Sequence, residues 1–116
     1  MASFYRFILI GFFSIVLQYS GGAQSASSID QSTSYFNKGL QSLTLGDSLT
    51  AFQQFEQAYG FSMNDDQITY YYLMLSLHLE KPFAEPLAIK WIKQTNNVIY
   101  QSRLQYFLGE YYYQVK

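Results

Sequence analysis

The side chains able to do acid–base, nucleophilic or metal chemistry are few in this chain, and their spacing limits what they can do. His78 is the single histidine and there is no cysteine. Zinc ligation by His and Cys, and Cys–His nucleophilic catalysis, therefore have nothing to work with. His78 stands between Leu77 and Leu79 in a helical pattern, where a packed or half-exposed ring is the expected role. Glu80 and Glu85 flank a proline turn, with no apolar pocket evident to raise a carboxyl pKa for general-acid work. Asn64-Asp65-Asp66 has the oxygens of a calcium loop but lacks the alternating ligands and closing Glu such a loop needs. The triplet reads instead as a helix start. Asn64 and Gln67 are the expected capping box, and Asp65 and Asp66 suit the positive end of the helix dipole. There is no Gly-rich phosphate loop, and Gly21-Gly22 belongs to the amino-terminal targeting region. The residues specify no catalytic set, no cofactor site and no metal site.

Charge narrows the class further. The 116 residues carry a formal charge of −1, with 13% charged and 20% aromatic side chains, so no basic face is available for nucleic acid. Lys90 and Lys93 are close together and read as a solvated helix face. This much apolar surface and this little charge describe one small folded domain rather than a disordered chain.

The amino-terminal 23 residues read as a signal peptide. Arg6 precedes the apolar run Phe7 to Leu17, which suits a signal core and is short for a membrane span. Gly21 and Ala23 then supply small residues for cleavage before Gln24. The expected product is exported to a periplasm, cell envelope or secretory space and is not inserted in a membrane. Without cysteine it has no disulfides, so helix packing alone must hold it together. Residues 24–34 are rich in Ser, Gln and Thr and read as a flexible lead-in.

From Tyr35 the pattern is helical. Tyr35, Gly39 and Leu43 recur every four residues, and Ala51, Phe52, Phe55, Ala58 and Tyr59 trace the buried face of a second helix. Gly46 fits a left-handed C-terminal cap, and Asp47 or Ser48 fits the next N-cap. Gly60 is the expected stop of this second helix. A third helix is predicted over Asp66 to about Glu80. Pro86 lies in the first turn of a fourth that runs to about Thr95, with Leu87, Trp91 and Gln94 inward. A fifth begins near Tyr100 with Leu104, Phe107, Leu108, Tyr111 and Tyr112.

These hairpins overlay. Gly39 falls on Leu75 and then on Gly109, at offsets of 36 and 34 residues, while Tyr35 falls on Tyr71, Ala51 on Leu87 and Phe55 on Trp91. A helix–turn–helix unit returning at this interval resembles the tetratricopeptide repeat family. Tyr35, Gly39, Gly46, Ala51, Phe55 and Ala58 hold that family's large, small, turn, small, large and small positions. The second unit departs from it, with Leu75, Pro82, Leu87 and Gln94 at those places, and the third keeps only its first helix. The resemblance implies an all-α fold over residues 35–116, in which antiparallel hairpins stack as a right-handed solenoid of about two and a half repeats.

It also implies a concave face that binds a protein or peptide. On that face the resemblance places Phe36, Tyr72 and Tyr106, then Leu40, Ser76 and Glu110, then Leu43, Leu79 and Tyr113, with Arg103 one turn before Tyr106. Aromatic anchors with little charge suit peptide capture. Tyr111-Tyr112-Tyr113 near the end leaves apolar surface that further repeats beyond Lys116 or a second copy would cover. A self-associating structural protein with no separate ligand is the alternative function.

Overall fold

A computed structural model describes the backbone of residues 22–115 and the side chains of 28–115. The expected signal segment, residues 1–21 of it, lies outside the described residues. Among the described residues the fold is all-helical: α1 (Gly22–Thr44), α2 (Ser48–Phe61), α3 (Asp66–His78), α4 (Ala84–Gln94) and α5 (Val98–Val115). None of these helices is long and apolar enough to cross a membrane.

The first hairpin follows from its small residues. Ala51, Phe55 and Ala58 are fully buried, and Gly39 opposes the Phe55 ring so closely that no side chain fits between them. The turn closes by two backbone bonds, Asp47 N to Ser42 O at 2.9 Å and Gly46 N to Leu43 O at 3.0 Å. Gly46 takes φ 81°, the left-handed value this closure needs and glycine supplies freely. Asp47 Oδ1 then accepts from Thr50 N at 3.1 Å, capping α2. The Thr50 side chain, and after it this backbone bond, hold the Asp47 carboxyl below its ordinary pKa.

Several boundaries differ from the sequence reading. Helix α1 starts at Gly22, so residues 24–34 are helical rather than a loose lead-in. Ser32 is buried there and donates its hydroxyl to Ile29 O at 2.9 Å, which lets a polar residue face inward. Helix α2 passes through Gly60 to Phe61, whose ring stacks on Tyr35 with centroids 6.1 Å apart. The cap of α3 is Asp65, accepting from Ile68 N at 3.0 Å, and not the Asn64–Gln67 box. At the other end of α3 the closure of the Gly46 turn recurs, with Lys81 N to Ser76 O and Glu80 N to Leu77 O, both 3.0 Å. Here Glu80, not Pro82 or a glycine, holds the left-handed position, at φ 56°.

Helix α3 is the centre. It packs on α2, α4 and α5, and its three consecutive tyrosines each meet a different set of rings. Tyr71 meets Phe36 of α1 and Phe55 of α2 at centroid distances of 5.4 and 5.6 Å. Tyr72 stacks on Phe52 and Tyr59 of α2 at 5.7 and 4.6 Å, and on Phe83 at 5.9 Å. Tyr70 stacks on Tyr100 of α5 at 4.7 Å. Successive helical residues turn about 100° apart, so a tyrosine triplet finds cover on all sides only where helices surround it.

Helix α4 is rotated from its expected setting. Its buried face is Ala84, Ala88 and Ile92; Leu87 and Trp91 are half-buried and Gln94 is exposed. The burial pattern therefore pairs Ala51 with Ala88, Phe55 with Ile92, and Gly39 with Ser76, each one residue later than the sequence overlay. Close approach of two helices selects the alanines, and the larger Leu87 and Trp91 are turned aside. Asn97 Oδ1 accepts from Tyr100 N at 3.0 Å to cap α5, and Gln101 Nε2 donates to Ile92 O at 2.8 Å, tying α5 to the end of α4.

Candidate functional site

The ten residues expected on one concave face divide among three environments. Phe36, Tyr72 and Ser76 belong to the core, which corrects their assignment to a binding face. Phe36 completes an aromatic triangle with Phe55 and Tyr71. Ser76 is fully buried and donates its hydroxyl to Tyr72 O at 2.6 Å. Burial of Tyr72, with Glu56 nearby, pushes its phenol up to about 12. Tyr72 is read as a groove residue from its position in the repeat, but the covering rings of Phe52, Tyr59 and Phe83 leave it no open side.

Leu40, Leu43 and Leu79 are half-buried against the core. Leu40 also borders an open apolar recess of about 410 Å³ with Gln41, Thr44 and Leu45 at the end of α1.

The remaining four lie on α5. Arg103 is exposed and lies near the Tyr70 side chain at the α3–α5 junction. Burial still raises the Tyr70 phenol, with Arg103 opposing that rise. Tyr106 and Glu110 share a shallow groove of about 180 Å³ between α5 and α3. Its floor includes Leu77 and Phe107, and His78, Tyr111 and Gln114 complete it. Tyr106 is 64% and Tyr113 88% exposed. The terminal triplet thus behaves unlike the one in α3. Tyr111 packs on the core, Tyr112 lies beside Glu85, which raises its phenol pKa, and Tyr113 projects into solvent.

A further concavity of about 380 Å³, larger than the α3–α5 groove, opens where the α2–α3 and α4–α5 connections approach each other. Tyr59, Leu73, Leu87 and Trp91 line it from within. Asn64, Asp66, Lys90, Gln94 and Asn96 stand at its exposed edge. Thr69 and Thr95 are already engaged, Thr69 Oγ1 donating to Met63 O at 3.2 Å and Thr95 Oγ1 accepting from Asn97 N at 3.1 Å. The sequence reading missed this cleft because it turned Trp91 inward. The pair Ala84 and Ala88 was the available signal, since two alanines one turn apart mark the side on which another helix lies close.

Among the described residues no group of three or more His, Asp or Glu is placed to hold a metal ion. Comparison of the chain with protein-family models, with curated proteins and with solved structures finds no match in any of the three.

Proposed function

We propose that this chain is a non-catalytic protein-interaction module of an exported, cell-envelope protein. In this reading its helix pairs form a short stack resembling tetratricopeptide repeats. A peptide segment of a partner lies in the groove between α3 and α5. The observation that carries the reading is the pair Tyr106 and Tyr113, held in solvent on a helix whose other side is packed. Tyrosine gives large contact area at little entropic cost, and the helix fixes the backbone beneath it. Leu77 and Phe107 supply an apolar floor, while His78, Glu110 and Gln114 supply hydrogen bonds that orient a peptide.

The test is selection from a peptide library displayed against the chain, followed by titration of the selected peptides. Tyr106→Ser should weaken them at least about tenfold with helicity unchanged, since an interface tyrosine of this kind contributes over roughly 1.4 kcal/mol. Peptides that bind Tyr106→Ser as tightly as the parent chain would exclude the groove.

One observation favours a second reading, self-association through α5. Gly109 lies between Tyr106 and Tyr113 and faces open space, leaving a notch where a ring from a second copy fits. Light scattering over a concentration series separates the two readings. Dimers abolished by Gly109→Leu favour self-association, and a monomer at every concentration favours the peptide groove.

A further inference from the structure

The cleft between the α2–α3 and α4–α5 connections lies apart from the groove just described and has a chemistry of its own. Two rings, Tyr59 and Trp91, line it beside Leu73 and Leu87. The side-chain amides of Asn64, Gln94 and Asn96 at its edge make no hydrogen bond within the described residues. Each free amide offers a carbonyl acceptor and two N–H donors. A sugar hydroxyl, itself donor and acceptor, is matched by that mixture, and the C–H face of a pyranose ring is matched by an aromatic surface. Asp66 and Lys90 contribute one charge of each sign and form no ion pair among the described residues, so the edge has no net charge to attract a phosphate or other anion. A volume of about 380 Å³ is at the small end of ligand cavities and admits a mono- or disaccharide rather than a long chain.

We infer that this cleft is a binding site for a neutral mono- or disaccharide, stacked on Trp91 and Tyr59 and hydrogen-bonded by Asn64, Gln94 and Asn96. A zwitterionic dipeptide is the competing occupant, with its amine toward Asp66 and its carboxylate toward Lys90. The inference does not depend on the α3–α5 groove, and either can fail alone.

Trp91 is the only tryptophan in the chain, so its emission reports this cleft without interference. The experiment titrates the full chain with maltose, cellobiose and N,N′-diacetylchitobiose, with glycylglycine as the rival probe, followed by Trp91 emission and by calorimetry. A saturable response to at least one disaccharide, with glycylglycine weaker or silent, is the expected result. The double variant Asn64→Ala/Asn96→Ala changes two exposed loop residues and should keep its helicity while weakening that disaccharide about tenfold or more. No saturable response to any of the three disaccharides overturns the inference. So does tighter binding of glycylglycine, or unchanged affinity in the double variant.

Discussion

Replacing Gly39 by alanine sets two effects of opposite sign against each other. Alanine is worth about 1 kcal/mol over glycine in a helix interior, so on propensity alone the variant gains stability. At this position, however, the new methyl carbon would lie 2.5 Å from Phe55 Cε1 and 2.6 Å from Cδ1. The Phe55 ring is fully buried and held by Phe36 and Tyr71, each at a centroid distance of 5.6 Å, so it has nowhere to swing. The helices must part instead. Overpacking of this kind costs about 1–3 kcal/mol, and a locked ring puts the cost in the upper part of that range. The net expectation is a loss of about 1–2 kcal/mol. For a domain this size the urea midpoint then falls by on the order of 1 M. Far-UV circular dichroism in urea measures it, with Gly109→Ala as the control. A methyl group at Gly109 would meet no neighbouring element within 4 Å, so its substitution should raise the midpoint. A second arm repeats Gly39→Ala in a Phe55→Leu background, where the penalty should shrink. If Gly39→Ala matches the gain of Gly109→Ala, then α1 and α2 are not pressed together at this residue, and the account of the hairpin fails.

Three further outcomes follow from the same geometry. Glu80→Gly should stabilise the chain by about 1 kcal/mol, because the left-handed φ of 56° is strained for a residue with a Cβ; thermal melting checks it. Tyr72 has a folded-state pKa above its ordinary value of 10.0, so folding favours the protonated phenol. That stabilisation is complete below pH 10 and is lost as pH rises toward about 12. Urea midpoints taken below and above this window should fall further in the parent chain than in Tyr72→Phe, and equal falls would contradict the assignment. Tyr72→Ala should cost about 3–5 kcal/mol, as for a large aromatic removed from a core, whereas Tyr106→Ala should stay within about 0.5 kcal/mol; denaturant titration of both distinguishes core from surface.

The sequence was most legible where small residues sit among large ones. Gly39, Ala51, Phe55 and Ala58 suit a tight hairpin, and Gly46 readily takes the left-handed conformation its turn needs, so both could be read from residue type. The amino-terminal half of α1 was hidden by its Ser, Gln and Thr content, although Ser32 fits the helix by bonding back to Ile29 O. The register of α4 was hidden by size. Leu87 and Trp91 look like core residues, yet helix separation is set by the residues able to approach, and these are Ala84 and Ala88. The binding face was misread for a related reason. Its positions were carried over from a repeat, but Tyr72 is decided by Phe52, Tyr59 and Phe83, and such long-range neighbours are invisible to spacing along the chain. Tyr106 and Glu110 do share a groove because α5 has no helix beyond it among the described residues.

The place of α3 has a consequence for how the molecule comes apart. Its backbone amides are enclosed by three other helices, so deuterium reaches them only when the whole domain opens. Helix α1 has 23 residues against 14 in α2, and therefore overhangs its companion by roughly two turns. Exchange starts in those overhanging turns and ends at the tyrosine triplet of α3, so the chain frays from its rim and opens last at its hub.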